Sequence, residues 1–478
     1  MKSLKSKLLK LSVVIFLAMT LNARAYLDHW NSGTGGKPSR NGLAWERGPT
    51  NTALLWQGGS YSQNGVPMVM EGNLVVMSRL NFASFSISDV QNGAVIVAQN
   101  LTNGVILWTN SLPVDFPATD WFSAVVAMRD KRVFAMRAGN ANSSYLYALN
   151  AQSGQILWRS QDQVDIYGNE SPSFAPNGDL IVGNWASLKR INATNGLTIW
   201  SSARTTPTSG GGEPAVYGDR IYIWESSGTG PKISAFNLNT GARLYSSQGF
   251  GGGNQQIAPF VGPDGTVYAP RSQGTVQTDY MIALKDTGSA FVEKWRVPLS
   301  YVPFASFAVG PDGSVYSYST DYRVIRIRPQ DGVIINSSDV MPSDFYQPRM
   351  VVDSAGTVFV SKGGFDQGAI FSYNPDLTLR WTDSVHYINL GGPVIGKNGT
   401  LVVAGDGNTI RAYRGNSENQ PGPPIHLERG GTNLVVSYSG VLESKDQMLG
   451  VWSDVAWAAT PWIVTTNRMQ QFFRSRQE

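Results

Sequence analysis

The chain has 478 residues and no cysteine, which excludes disulfide bonds and attachment to lipid through a cysteine. Its formal charge is +4, but five of its 38 basic residues lie in residues 1–25, which contain no acid, so the remainder has one more acid than base. This balance argues against a nucleic-acid-binding surface. Abundant glycine and aromatic residues with only 15% charged residues are typical of an exported all-β protein.

The first 25 residues have the pattern of a secretory signal peptide. A basic start, MKSLKSKLLK, precedes an apolar run over residues 11–21 and a small-x-small site that ends at Ala25. The run is short for a bilayer span, which argues against the alternative of a membrane anchor. We therefore predict cleavage after Ala25 and a periplasmic or extracellular protein. It would be neither a lipoprotein nor membrane-spanning after cleavage, and residues 26–50 would form an N-terminal lead.

A strand–turn–strand motif recurs along the chain, as in 148-ALNAQSGQILW-158. The stretches 98-AQNLTNGVILW-108 and 190-RINATNGLTIW-200 match it position for position, and a lone strand of this type, 52-TALLWQ-57, lies near the start. A repeat of 40–50 residues in an all-β chain indicates the four-stranded blade of a β-propeller. The repeats are marked by Trp56, Trp108, Trp158, Trp200, Tyr245, Trp295, Asn336 and Trp381, at spacings of 41 to 52 residues. We expect the aromatic markers to be structural, packing between neighbouring blades.

A second series of tight hairpins alternates with these markers. Eight occur, among them 175-APNGDLIVG-183 and 262-GPDGTVYAP-270, and Asn-Gly or Asp-Gly supplies turn residues that tolerate positive φ. The last, 396-GKNGTLVVA-404, has no marker strand after it, whereas the strand at 52–57 has no hairpin before it. The sequence thus predicts an all-β fold over residues 51–415, an eight-bladed β-propeller closed by its N-terminal strand.

The repeated pattern Ala-x-Asp/Asn-x-x-Thr/Ser-Gly-x-x-x-Trp resembles the pyrroloquinoline-quinone-type (PQQ-like) β-propeller repeat, and 39-SRNGLAWERGP-49 resembles the lead of its exported members. That family includes quinone-dependent alcohol and sugar dehydrogenases and also non-catalytic, BamB-like assembly propellers. Resemblance to the dehydrogenases would imply a vicinal cysteine pair, an Asp base and calcium held by acids and amides in the central funnel. This chain has no cysteine, and its densest acidic stretch, 162-DQVDIYGNE-170, lacks the ligand spacing of known calcium loops.

Other chemistry finds little support in the sequence. The three histidines, His29, His386 and His426, are not at metal-ligand spacing. A GxSxG elbow is lacking, and the glycine runs at 209–214 and 249–256 lack the lysine of a phosphate-binding loop. We accordingly predict no catalytic, cofactor-binding or metal-binding residues.

Long loops are expected on one face of the propeller. This face carries both the connections between blades and the loops between the second and third strands of each blade. Binding residues concentrate on long loops over a rigid scaffold, so this loop-rich face is the predicted contact face. Glu213 and Arg349, near the starts of innermost strands, would approach the central channel. The candidate partner-face residues are Asp120, Trp121, Glu170, Glu213, Asn254, Gln255, Arg349, His386 and Tyr387.

The C-terminal part differs in pattern from the repeats. Residues 416–424, NSENQPGPP, have the composition of a linker. Short alternating segments over residues 425–478 predict a small β-module of about five strands, similar to a module at the end of many large exported bacterial proteins.

The sequence favours an exported, non-catalytic propeller that acts as a binding or assembly scaffold, with no cofactor and with a protein or glycan partner in the cell envelope or outside the cell. Two alternatives stay open. A divergent PQQ- and calcium-dependent oxidoreductase would require convergent acids and amides at the channel mouth. A glycan-binding or glycan-active propeller would present flat aromatic rings such as Trp121 and Tyr387, and paired carboxylates if it cleaves.

Overall fold

The structure is a computed structural model. It describes residues 35–58, 63–64, 68–80, 86–138, 144–164, 171–184, 186–205, 212–251, 257–272, 274, 279–302, 305–342, 346–363, 368–386, 388, 391–405 and 410–416, and six strands within 426–476. The predicted signal peptide and most of the predicted linker lie outside the described residues. No helix in these ranges is long and apolar enough to cross a bilayer.

Eight antiparallel sheets follow one another along the chain, which confirms the predicted eight-bladed propeller. In each blade the strands are numbered from the channel outward. Blade 1 comprises Gln63–Asn64, Val69–Glu71, Leu74–Leu80, Ala94–Asn100 and Ile106–Asn110. Blade 2 comprises Phe122–Arg129, Arg132–Ala138, Ser144–Asn150 and Ile156–Val164. Blade 3 comprises Ser173–Phe174, Leu180–Gly183, Ser187–Ile191 and Thr198–Ala203. Blade 4 comprises Ala215–Tyr217, Arg220–Glu225, Lys232–Asn237 and Arg243–Ser246.

The second half of the ring repeats this order. Blade 5 comprises Phe260–Val261, Val267–Arg271, Tyr280–Asp286 and Phe291–Pro298. Blade 6 comprises Ala308–Val309, Val315–Tyr318, Arg323–Ile327 and Ile334–Val340. Blade 7 comprises Tyr346–Val352, Val358–Gly363, Ala369–Tyr373 and Leu379–Ser384. Blade 8 comprises Val394–Ile395, Leu401–Ala404, Ile410–Tyr413 and the N-terminal Leu54–Gly58.

Two short helices interrupt this pattern. The helix Ile87–Gly93 lies between the strands Leu74–Leu80 and Ala94–Asn100 of blade 1. Lys397–Gly399 forms a 3-10 turn in blade 8. Ring closure is as predicted, because Leu54–Gly58 pairs antiparallel with Ile410–Tyr413. The first strands of neighbouring blades contact one another and surround the channel. The turns between the first and second strands of the blades lie on the face opposite the loop-rich face, which is called the short-turn face below.

The core is a series of apolar clusters between neighbouring blades. One of them joins Val76 and Ile96 of blade 1 to Val133 and Leu149 of blade 2, and the described side chains in it are almost fully buried. Each blade therefore gains most of its apolar burial from its two neighbours, as in other repeat proteins.

One recurring contact links consecutive blades. The Trp108 indole of blade 1 donates from Nε1 to the carbonyl of Ala151 in blade 2, at 2.8 Å. Its ring covers Gly154, where φ is +71° and an added Cβ would lie 2.5 Å from the indole. Both constraints require glycine, because a side chain would be strained and would collide. The same contact joins Trp56 to Gly104, Trp158 to Gly196, Trp200 to Gly241, and Trp295 to Gly332.

The described repeat departs from this contact at three junctions. Between blades 7 and 8, the Trp381 indole donates from Nε1 to the carbonyl of Pro49 in the N-terminal lead, at 3.4 Å. At blade 6 the marker is Asn336, and the facing turn of blade 7 carries Leu377 at φ +67° in place of glycine. Leu377 is only 2% exposed and packs in the apolar cluster around Tyr373. An apolar side chain thus fills space at the junction that lacks an indole.

At blade 4 the marker is Tyr245, and a polar cluster takes the place of the indole–glycine contact. The Tyr245 hydroxyl donates to Oδ1 of Asp286 in blade 5 at 2.5 Å, and the Tyr222 hydroxyl donates to Oδ2 of the same carboxylate at 2.6 Å. Arg220 lies 3.4 Å from the same carboxylate. Burial alone would raise the pKa of Asp286, but the hydrogen bonds from the two tyrosines, with the Gly288 amide and Arg220, hold the pKa below its usual range.

Asp286 should therefore contribute to the pH dependence of folding. A carboxyl whose pKa is lower in the folded state stabilises the fold above its unfolded pKa, and this contribution is lost as the pH falls through the folded pKa. We expect Asp286→Asn to reduce the loss of stability between neutral pH and about pH 3. Urea unfolding of wild type and Asp286→Asn over this pH range measures the difference, and Asp339→Asn, which changes an exposed carboxylate of blade 6, is the control. Parallel curves for wild type and Asp286→Asn would contradict the assignment.

The C-terminal strands form two small sheets. Their described members are His426–Gly430, Asn433–Ser437 and Trp462–Val464 in one sheet, and Val441–Lys445, Ser453–Asp454 and Phe472–Arg476 in the other. Six strands are thus present where about five were expected. Whether residues 425–478 form a separate domain stays a prediction.

Candidate functional site: a channel crossed by the N-terminal lead

The N-terminal lead crosses the channel at the short-turn face. Its residues 38–44 pass the ends of four innermost strands in turn, from blade 4 to blade 7, and backbone hydrogen bonds hold the lead to each of them. The amides of Val216, Val261, Val309 and Val352 donate to the carbonyls of Pro38, Ser39, Asn41 and Gly42 at 2.7–2.9 Å. The chain then continues to the outermost strand of blade 8, so one segment both crosses the channel and closes the ring.

Backbone conformation shapes this crossing. Arg40 has φ +54° and Gly42 has φ +61°. A Cβ at position 42 would collide with the carbonyl oxygen of Phe307, at 2.7 Å. Left-handed residues bend the lead twice within three positions. As a result the Arg40 side chain leaves the lead and enters the ring.

Arg40 forms the main polar contact inside the channel. Its Nε donates to the carbonyl of Pro214 at 2.6 Å, and its Nη1 donates to Ser171 Oγ at 2.9 Å and lies 3.4 Å from Glu213 Oε1. The same carboxylate oxygen accepts from the amide and the hydroxyl of Ser171, both at 3.0 Å. The arginine side chain is fully buried and that of Glu213 nearly so. This is a buried, multiply hydrogen-bonded ion pair between the lead and blades 3 and 4.

A second buried arginine lies in reach of this charge pair. Arg349, on the innermost strand of blade 7, is 5% exposed. Burial lowers its pKa to about 10, the charges of Glu213 and Tyr318 oppose that shift, and Arg40 adds to it. Burial likewise raises the pKa of Tyr318 well above its usual value, and the Tyr318 hydroxyl donates to the carbonyl of Ser306 at 3.1 Å. Two arginines therefore share one described carboxylate.

The described residues around Glu213 do not offer the ligand set of a calcium-dependent cofactor site. Calcium needs several converging oxygen ligands. Glu213 is instead engaged by Arg40 and Ser171, and the described residues contain no group of three or more acidic, histidine or cysteine side chains that could hold a metal. The Glu213 carboxylate is therefore held in a buried ion pair with Arg40 and is not a free base or calcium ligand.

The other predicted partner-face residues lie at different depths. Asp120 is 1% exposed, and its Oδ2 accepts the amides of Asp115 and Phe116 at 2.9 Å, so it organises its own loop rather than the surface. Trp121 is partly exposed and donates to a carbonyl in the same loop, and His386 is exposed. The remaining candidates, Glu170, Asn254, Gln255 and Tyr387, lie outside the described residues.

An apolar patch lies on the loop-rich face. Tyr301 is 53% exposed in the connection from blade 5 to blade 6, Tyr322 is 36% exposed in the next loop, and Val340 is 56% exposed at the end of blade 6. The loops touch, because the Ser300 hydroxyl donates to the carbonyl of Ser319. These three residues are called the blade 6 patch below. The three side chains belong to different segments of the chain, so their sequence positions do not show that they lie on one surface.

The ring and the crossed channel define an eight-bladed β-propeller of the PQQ-like class. A family model described as outer membrane protein assembly factor BamB matches residues 40–189 and 91–338. These overlapping matches span more than half of the chain, and the protein belongs to this family of PQQ-like propellers. No curated protein sequence matches the chain.

Solved structures share the fold at low sequence identity. BamB from Moraxella catarrhalis is 16% identical with a TM-score of 0.54, over 75% of this chain and 99% of that protein. A quinohemoprotein alcohol dehydrogenase from Comamonas testosteroni is 11% identical with a TM-score of 0.57, over 86% and 84% of the two chains. A europium-containing methanol dehydrogenase is 12% identical with a TM-score of 0.53, over 82% and 92%. Assembly factors and dehydrogenases thus share this fold, so the fold alone does not distinguish a scaffold from an enzyme.

Proposed function

We propose that the protein is a non-catalytic scaffold of the cell envelope that binds a protein partner through its loop-rich face. The observation that carries this proposal is the blade 6 patch, where two tyrosines of adjacent loops and a valine at the end of a strand are 36–56% exposed. Neighbouring apolar side chains at a loop surface are typical of protein contact sites. Membership of a family described as an outer membrane assembly factor supports an envelope location and a protein partner.

The engagement of the Glu213 carboxylate also supports a scaffold. The lead crosses the channel at the short-turn face, and the Glu213 carboxylate is bound by Arg40 and Ser171. A general base or nucleophile would need an accessible, suitably perturbed group. The blade 6 patch combines tyrosines with valine rather than presenting flat rings along a groove, which favours protein over glycan.

Site-specific photo-crosslinking in cells of the source organism tests the contact face. A benzoylphenylalanine at position 301 or 322 should crosslink the mature protein to the same envelope protein. The matched control is position 379, because Leu379 is 51% exposed on the outermost strand of blade 7, away from the patch. The double variant Tyr301→Ala/Tyr322→Ala should reduce affinity for that partner at least about tenfold. Equal crosslinking from position 379, or unchanged affinity of the double variant, would refute the proposal.

We further propose that the protein functions without pyrroloquinoline quinone and calcium. A ligand at 100 times its dissociation constant stabilises a fold by about 2.7 kcal/mol, which a thermal unfolding scan detects. The midpoint of the mature protein should stay unchanged when both are added. A calcium-dependent rise in the midpoint would reject this proposal and favour an oxidoreductase. A dehydrogenase that binds the quinone serves as the positive control.

A further inference from the structure

A cavity lies away from the loop-rich face. It has a volume of about 310 Å³ and opens on the short-turn face, between the lead and the first turns of blades 3, 4 and 5. Cavities of this size accommodate small organic molecules. The lead provides Lys37 and Trp45, and the blades provide Phe174, Tyr217 and Pro263.

The walls of this cavity are mainly aromatic and apolar. Phe174 is buried, whereas Tyr217 is 38% exposed and its hydroxyl donates to the carbonyl of Pro263 at 2.9 Å. That hydrogen bond fixes the phenol ring against the turn of blade 5. Trp45 supplies a third ring. The walls therefore suit a flat, apolar ligand body.

Lys37 supplies the one cationic group among the described residues that line the cavity. The Lys37 ammonium lies 3.7 Å from the centroid of the Trp45 ring. None of the described residues that line the cavity is acidic. A cation–π contact compensates a lysine only in part, since the ammonium has three donors. Burial holds the pKa of Lys37 well below its usual value, and no neighbouring acid counteracts this shift. An anion placed beside Nζ would supply the missing counter-charge.

We propose that this cavity binds a small aromatic carboxylate, with its ring between the aromatic walls and its carboxylate on the Lys37 ammonium. The inference is independent of the proposed scaffold function, because the cavity and the blade 6 patch are on opposite faces. An inorganic anion would leave the apolar walls uncovered, and a neutral aromatic compound would leave the ammonium uncompensated. Only a ligand with both features satisfies the whole cavity.

Isothermal titration of the mature protein with indole-3-acetate tests the site, and indole-3-acetamide is the uncharged analogue. The acid should bind, and the amide should bind at least about tenfold more weakly, because it lacks the charge-assisted hydrogen bond. Lys37→Met should weaken binding of the acid by a similar factor, whereas Lys37→Arg should largely retain it. The matched control Lys285→Met removes an exposed lysine of blade 5 and should leave binding unchanged.

Thermal unfolding of each variant separates lost binding from lost folding. Lys37→Met should be at least as stable as wild type, because it removes a partly desolvated cation. Absence of binding up to millimolar acid would overturn the proposal, as would equal binding of acid and amide or equal affinity of wild type and a folded Lys37→Met variant. The crosslinking result at positions 301 and 322 is not affected by any of these outcomes.

Discussion

Arg40→Met is expected to lower the free energy of unfolding of the mature protein by about 3–5 kcal/mol, the range observed when one partner of a buried ion pair is removed. The substitution leaves the Glu213 carboxylate almost fully buried and without the cation at 3.4 Å. It also removes donors from Ser171 and the Pro214 carbonyl. Denaturant unfolding followed by tryptophan fluorescence measures the change.

Two further variants separate pairing from general effects of losing an arginine. Arg414→Met removes an exposed arginine of blade 8 and should cost about 0.5 kcal/mol or less. The double variant Arg40→Met/Glu213→Gln removes both charges, so its cost should be smaller than the sum of the two single costs by about 0.5–3 kcal/mol. Additive costs, or an Arg40→Met variant as stable as Arg414→Met, would show that the pair does not hold the lead in the channel.

The repeat could be predicted from sequence because its determinants are local and occur many times. Gly154 and Trp158 lie on one hairpin, and several copies of the pattern reveal both the period and the closing strand. One exception also follows this rule. Asn336 replaces the marker aromatic and Leu377 replaces the turn glycine, and the structure places both at the same junction. Local patterns that agree with the global fold are those that a sequence specifies most plainly.

The channel could not be predicted in the same way. Arg40 contacts Ser171 and Glu213, which are 131 and 173 residues away in the sequence. Neither contact is part of the repeated pattern. Glu213 and Arg349 could be placed near the channel from their position in the repeat, but nothing in the sequence indicated that the lead supplies a cation between them. The cavity at Lys37 and the blade 6 patch depend on the same kind of single, long-range contact.

The junction between blades 1 and 2 provides the second large effect. Trp108→Ala should lower the free energy of unfolding by about 3–5 kcal/mol, because it removes a buried aromatic ring and leaves a cavity between blades. It also takes away the 2.8 Å hydrogen bond to the Ala151 carbonyl. The matched control is Trp121→Ala, which removes a partly exposed indole on a loop and should cost about 1 kcal/mol or less. Similar costs at the two sites would contradict a special role for the marker tryptophan.

Glycine substitutions at this junction test whether the indole and the turn act as one unit. Gly72→Ala, with φ +58° and no atom within 4 Å of the new Cβ, should cost about 1–2 kcal/mol from backbone strain alone. Gly154→Ala adds a collision at 2.5 Å with the Trp108 ring, worth a further 1–3 kcal/mol or so by the usual cost of overpacking. In the Trp108→Ala background the collision partner is absent, and the cost of Gly154→Ala should fall to that of Gly72→Ala. If it does not fall, strain in the turn rather than contact with the indole requires glycine at position 154.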